Sequence, residues 1–280
     1  MLNRQNLGIL TFLPRVYYGI KDIFLQENRI AVMMFHHIER TEFLHFQALM
    51  QFVHENYQVI TPEEFEQCLA GNKLQGNFLK VLLSFDDGFQ SDYFVAREIL
   101  DKFGMQAVHF ISPDFINCQT VEDIRRFVEQ RLLLDSSSMQ DFLPMSWEQI
   151  ASLQQDGHRI GAHTYTHFCC KENSVDLLQK EICGSGDYLS SKLGIAINWF
   201  AFPFGNIHSL CPTAVRLAQG RYDYIFSTVR GYNTCSQNSL LLYREAVAMQ
   251  DDVNYVRFML EGGLMPYYRQ ARKALHRMAK

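Results

Sequence analysis

The strongest chemical signal in the chain is a pair of adjacent carboxylates, Asp86 and Asp87, which end the apolar run 81–85 and are followed at once by Gly88. Two acids at the mouth of a buried strand are costly to desolvate unless a cation or a proton offsets them. A helix N-cap with a turn accounts for one aspartate and leaves the second unexplained. A matching signal is Gly161-Ala162-His163-Thr164-Tyr165-Thr166-His167, directly after a second short apolar run. Histidines four apart fit one side of a helical turn, where two imidazoles converge on one ion. With Asp87 they supply two nitrogens and one oxygen, the donor set of an open catalytic zinc site with a position left for water.

Two weaker features sit at equivalent places. In Trp199-Phe200-Ala201-Phe202-Pro203-Phe204-Gly205-Asn206 a proline and a glycine set a turn after an aromatic run. Such a turn can aim a backbone N–H at a developing oxyanion, and it is also a common structural device. In Met33-Met34-Phe35-His36-His37 two histidines end the first predicted strand. All four features follow the C-terminal end of a predicted strand, the face on which parallel α/β barrels gather their catalytic groups.

The elements that must position these residues are seven short apolar runs, 30–35, 80–85, 107–111, 158–162, 198–202, 222–227 and 240–243, separated by stretches with helical spacing. Thr61-Pro62-Glu63-Glu64 and Ser146-Trp147-Glu148-Gln149 have the pattern of capping boxes, and Gly104 and Gly157 stand where the helical stretches before them should end. Strand and helix alternating along the whole length predict an α/β fold with a mainly parallel sheet, open or closed; 280 residues in one unit favour the closed barrel. The polar stretch 117–138 reads as an insertion on the rim.

Composition narrows the partners. With 26 basic and 30 acidic residues and a net charge of -4, the chain lacks the basic excess that phosphate backbones demand, and no nucleic-acid partner is expected. Seven irregularly spaced cysteines read as reduced core residues rather than a disulfide framework; Cys169 and Cys170, just behind His167, are read as packing rather than as metal ligands. The apolar stretch 7–13 is cut off by Pro14 and Arg15 with no cleavage site after it, so cytoplasmic residence is the expectation. Near the end of the chain Tyr267, Tyr268, Ala271, Leu275 and Met278 share one helical side, among Arg269, Arg272, Lys273, Arg277 and Lys280. A basic amphipathic helix of this kind can lie on an anionic membrane surface, here the inner face, and the stretch 7–25 has similar spacing. Two terminal helices packed on the barrel explain the same patterns.

On these residues the chain resembles the polysaccharide deacetylases, carbohydrate esterase family four. Residues 84–88, S-F-D-D-G, are similar to the first family motif, T-F-D-D-G; residues 163–167, H-T-Y-T-H, match the second, H-[ST]-x-x-H; residues 201–205, A-F-P-F-G, resemble the third, R-x-P-Y-G. The resemblance runs from about residue 30 to residue 247. It implies a single-domain, distorted (β/α)7 TIM-like barrel over residues 30–248, with an N-terminal helical extension at 1–29 and C-terminal helices at 249–280 packed on it. It further implies removal of N-acetyl groups from amino sugars of a polysaccharide, oligosaccharide or lipid-linked saccharide. Asp87, His163 and His167 would hold a divalent metal, zinc first and nickel or cobalt as alternatives. Asp86 would be the general base toward a water polarised by that metal, and the Phe204 backbone N–H the oxyanion donor.

Three departures from the family pattern matter. Ala201 stands where the third motif has arginine; Arg244 ends another predicted strand and either supplies that charge or forms a structural ion pair, for instance with Glu245. The family's C-terminal leucine–x–x–histidine motif, source of the general acid, is missing. Deacetylases of poly-N-acetylglucosamine are more similar here, having an N-terminal Tyr-His; Phe35-His36 takes that place, making His36 the expected acid and His37 the second candidate. His109 replaces a usual aromatic residue and is read as core or rim, with substrate contact as the lesser option; His208 is similarly open. Trp147, Trp199, Phe202 and Phe204 are the aromatic faces on offer to a hexosamine, although Trp147 fits better as helix packing. An amidase on a small non-sugar substrate and a catalytically silent carbohydrate-binding relative are the competing readings.

Overall fold

The short strands are apolar on both faces, so each must be covered on both sides, and a parallel sheet closed around its own core under a layer of helices does this. The computed structural model describes residues 29–72, 74–76, 79–135, 142–171, 174–234 and 241–280. The expected N-terminal extension, apart from Arg29, lies outside the described residues. Ten strands are present among those described: β1 (Arg29–Phe35), β2 (Gln58–Val59), β3 (Leu79–Phe85), β4 (Ala107–Ile111), β5 (Arg159–Ala162), β6 (Trp199–Ala201), β7 (Tyr224–Phe226), β8 (Asn233–Thr234), β9 (Leu241–Leu242) and β10 (Glu245–Ala246). Eight run in the order β10-β1-β3-β4-β5-β6-β7-β9, every neighbouring pair parallel. β2 pairs with β3, and β8 lies antiparallel to the start of β1.

Only two residues separate β9 from β10, yet β9 pairs with β7 and β10 with β1. The segment 241–246 is therefore one bent stave that leaves one neighbour and joins the other, nearly closing a seven-stave barrel. At the bend the Asn233 side chain takes the place of a strand: its Nδ2 donates to Tyr243 O at 3.0 Å and its Oδ1 accepts from Tyr243 N at 2.9 Å.

Period-two alternation sorts the side chains. Ile30, Val32, Leu82, Val108, Phe110, Trp199, Ala201, Phe226 and Leu242 fill the barrel, while Ala31, Met33, Phe35, Val81, Leu83, Phe85 and Phe200 face the helices. The helix Pro62–Leu69 closes the N-terminal end with Phe65, whose ring lies 5.4 Å from that of Trp199. That helix and the helix Trp147–Gln155 both start with complete capping boxes, from Thr61 and Ser146. Gly104 and Gly157 have φ of 63° and 89°, a region glycine enters at little cost.

Several expectations change here. Trp199 and Phe202 are core residues and offer no face to a sugar; both belong to β6 or its end, where alternation buries each position on one side or the other. Trp147 packs on Tyr188 and donates to Asn117 Oδ1 at 3.3 Å. Cys118, Cys169, Cys170, Cys183 and Cys211 are free, but Cys68 is disulfide-bonded, so an all-reduced set does not hold. Spacing along a chain carries no information on which distant thiols a barrel brings together. The stretch 117–135 is not merely a polar rim: the helix Val121–Phe127 and the π-turn Val128–Leu132 build a small core of their own from Phe89, Phe115, Ile124, Phe127, Val128, Leu132 and Phe142.

His109 and His158 are buried side by side outside the barrel wall, with His109 stacked on Phe85. His158 Nδ1 accepts from Ala107 N at 3.2 Å and lies 3.2 Å from His109 Nε2. Both rings are thus held neutral, and burial lowers both, His158 to about 4 and His109 well below its ordinary value. Because unfolding frees two imidazoles that bind protons near pH 6.5, this contribution is complete above that pH and is lost as the pH falls toward 4. A loss on the order of 3 kcal/mol for His158 alone is expected across that window. Urea titrations at pH 7 and pH 4.5 measure it; an equal slope in a His109→Phe, His158→Gln variant would show that the pair is not its source.

Candidate active site

Each feature singled out in the sequence lies at the C-terminal end of a stave. β3 ends at Phe85, and the next two residues are buried: Asp86, on the inward side after Leu82 and Ser84, and Asp87, turned by a φ of 76°. Non-glycine residues rarely adopt positive φ, and Asp87, Thr164, His167 and Phe204 all do so here. The histidine pair is consequently not on a helical turn. Residues 163–167 form a loop in which two left-handed residues bring the imidazoles together.

His163 Nε2 lies 3.5 Å and His167 Nε2 3.3 Å from Asp87 Oδ1, and one ligand atom from each of the three lies within 4.8 Å of the others. The opposite nitrogens are committed: His163 Nδ1 donates to Ala201 O at 2.8 Å and His167 Nδ1 to Arg131 O at 2.9 Å. This leaves each Nε2 as the nitrogen free to face a cation. At His167 burial favours the neutral ring, but the adjacent Asp87 outweighs it and raises the imidazole above its ordinary value, so a cation bound there would displace that proton. Asp87 Oδ1 is buried without a hydrogen bond among the described residues. Three electron-rich atoms facing one another in a buried space fit a cation, and their chemistry is that of an open zinc-type centre. Burial lowers His163 to about 4, against the pull of Asp86, so it stands neutral as a ligand must. Burial would raise Asp87, but His167, His36 and His163 outweigh it and hold the carboxyl well below its ordinary range.

Asp86 stands apart from this set, 3.9 Å from His163 Nε2, and is held by Arg244. Two steps beyond the inward Leu242, Arg244 also points inward and is fully buried at the bend between β9 and β10. Its Nη1 donates to Asp86 Oδ1 at 2.6 Å and its Nε to Ser227 O at 3.0 Å, with the guanidinium 5.3 Å from the Phe110 ring centre. Burial raises Asp86; Arg244, His163 and His36 more than offset it and keep the carboxylate ionised. Arg244 does not pair with Glu245, which accepts instead from Arg230 at 2.8 Å. Asp92, buried behind the two aspartates, is raised well above its ordinary value by burial and by their charge.

The four side chains lie at a cavity of about 520 Å³ also lined by His36, Leu132, Leu134, Phe204, Arg230 and Tyr268. His36 lines it one residue beyond β1; His37 turns away, with Nδ1 3.0 Å from Ser91 Oγ and its ring between Phe89 and Phe142. His109 lies in the core and His208 on the surface, both outside the cavity. The Phe204 carbonyl accepts from Thr228 Oγ1 at 2.6 Å, and its N–H has no acceptor among the described residues. Gly205 is required beside it, since a Cβ there would meet Thr228 N at 2.7 Å.

Sequence reasoning missed Glu181, which clamps the histidine loop: its carboxylate accepts from Thr166 N at 2.9 Å and Thr166 Oγ1 at 3.0 Å. The signal was present, because Glu181 is the lone acid on the buried stripe Leu178, Ile182, Ser185, Leu189 of the helix Val175–Leu193. Arg131 was missed as well. It contributes a carbonyl, for which no side-chain pattern exists.

Comparison with known proteins agrees with this geometry. The profile of the polysaccharide deacetylase family matches residues 75–222, just over half of the chain. The chain belongs to the polysaccharide deacetylase family. This family member is 28% identical over 120 residues to a Bacillus subtilis (strain 168) protein named for the same family, YxkH; the alignment spans 40% of this chain and 43% of that one, less than half of the relative's length. Among solved structures, Streptococcus pyogenes deacetylase PplD in complex with acetate superposes with a TM-score of 0.64 at 22% identity, covering 83% of this deacetylase-family chain and 99% of PplD. IcaB from Ammonifex degensii gives 0.64 at 20% identity, covering 84% and 97%. These likenesses establish the distorted barrel fold.

Proposed function

We propose that this chain is a metal-dependent de-N-acetylase acting on an N-acetylated amino sugar. The observation that carries the reading is the separation of roles in one cavity: Asp87, His163 and His167 converge through three unshared donor atoms, while Asp86 is held beside them by its own cation. Asp87, His163 and His167 would hold a divalent cation, zinc by donor type, which when bound acidifies water and polarises an amide carbonyl.

The chain's own groups account for the remaining steps. Asp86, ionised and oriented through Oδ1 by Arg244, accepts the proton of the attacking water. As the amide carbonyl becomes an oxyanion, the Phe204 N–H donates to it. His36 gives a proton to the departing amine, which otherwise could not leave. His36→Ala is expected to lower turnover on the order of 10²-fold with metal content unchanged; equal turnover would pass the role to another group.

The function itself is tested by acetate release from N-acetylglucosamine oligomers. Metal-loaded protein should release acetate, and chelation should stop it until metal is restored. A folded, metal-replete protein that leaves acetylated hexosamines intact and hydrolyses a small non-sugar amide would replace this reading.

A further inference from the structure

The surface around the cavity mouth is unusual for a region meant only for water. Leu133 is 68% exposed and held at a φ of 58°, just past the π-turn whose Leu132 is anchored in the small core. Its neighbour Leu134 lines the cavity, as does Phe204 from a separate stave end, and Tyr267, also 68% exposed, stands next to the cavity-lining Tyr268. Leu134, Phe204 and Tyr268, from three distant segments, thus line one opening, and the exposed Leu133 and Tyr267 are immediate chain neighbours of two of them.

Directly after Tyr268 comes the helix Arg269–Met278, anchored by the buried Leu275 and tied to the cavity wall through Arg272, whose Nη1 donates to Arg230 O at 3.0 Å and Nη2 to Met265 O at 2.7 Å. A cleft of about 450 Å³ on this helix is lined by Tyr243, Arg269, Arg272, Lys273, His276 and Arg277. No acidic residue follows Glu261 in a chain whose net charge is -4, so Arg269, Arg272, Lys273, Arg277 and Lys280 form a basic stretch that is uncompensated along the sequence. Among the described residues Arg269, Lys273 and Arg277 form no ion pair.

We infer that the cavity mouth and the basic helix beside it form a docking surface for an anionic phospholipid bilayer. Cations read lipid phosphates in the headgroup layer, and leucine and tyrosine tips enter the acyl boundary next to them. A nucleic-acid surface would instead present stacking platforms along a basic groove. Resting on the deacetylase reading, the consequence is that the saccharide enters from the membrane side, as the headgroup of a lipid-linked substrate.

Vesicle flotation of the full chain tests the surface without using the chemistry. Binding is expected to phosphatidylcholine vesicles containing phosphatidylglycerol, to weaken with salt, and to be absent with phosphatidylcholine alone. Lys273→Glu with Arg277→Glu should weaken binding on the order of twentyfold, and Leu133→Ser with Tyr267→Ser about tenfold. Acetate release from a soluble oligomer should be unchanged in both double variants. A wild-type chain that never floats, or floats equally with neutral vesicles, overturns the inference. So does undiminished binding after the charge reversal, which would move the membrane contact to another part of the chain.

Discussion

Asp86→Asn should keep its divalent metal and release acetate roughly a thousandfold more slowly, whereas His163→Ala should lose both metal and activity. Asparagine is isosteric with aspartate and retains an oxygen for the 2.6 Å contact from Arg244, but its amide cannot take a proton from water. The change therefore removes the base and little else. His163 is different because its Nε2 faces Asp87 Oδ1 and its other nitrogen is locked on Ala201 O. Without the ring, two donor atoms remain where three are needed. Elemental analysis of both purified variants, beside an acetate assay, decides the matter. Normal turnover in Asp86→Asn would remove Asp86 from the chemistry, and full metal content in His163→Ala would remove His163 from the ligand set.

Arg244→Leu should destabilise the fold by about 3–5 kcal/mol, the usual consequence of leaving one member of a buried ion pair behind. Burial is the largest influence on Asp86 and pushes its protonation upward; Arg244 is the leading force in the opposite direction. With the guanidinium gone, the carboxyl is expected to hold its proton to higher pH, so the acid limb of kcat/KM should shift upward. Arg244→Lys should recover part of that shift, since it keeps the charge, and lose the contact from Nε to Ser227 O. Adding Asp86→Asn to Arg244→Leu should return most of the lost stability, because the stranded charge is then gone. If Arg244→Leu unfolds at the wild-type denaturant concentration and its pH profile is unmoved, the guanidinium neither neutralises nor orients Asp86.

Much of this architecture was readable beforehand, for reasons that differ by residue. The seven predicted strands correspond to β1, β3, β4, β5, β6, β7 and β9, with the first three matching to within one residue and the last four shortened by one to three, because a stave buried on both faces is a dense apolar run with sharp ends. The capping residues Thr61 and Ser146 were readable because a cap is local chemistry. β10 was invisible: Glu245 and Ala246 have no strand pattern, and their pairing with Met33 and Met34 follows from the bend held by Asn233, a residue with no apparent role in the sequence. The clustering of Asp87, His163 and His167 was foreshadowed by their types. The means was not, since positive φ at Thr164 and His167 replaces the expected helical turn. Backbone acceptors such as Arg131 O and Ala201 O leave no trace in residue identity.

The bent stave 241–246 ties maturation of the site to completion of the chain. Asp86 and Arg244 are 158 positions apart, and the second arrives on the segment that seals the cylinder between β7 and β1. A nascent or truncated polypeptide lacking that segment would carry both acids and both imidazoles yet lack the guanidinium that does most to offset the burial of Asp86. The last stave thus acts as a latch, and hydrolytic competence emerges only when the barrel is shut.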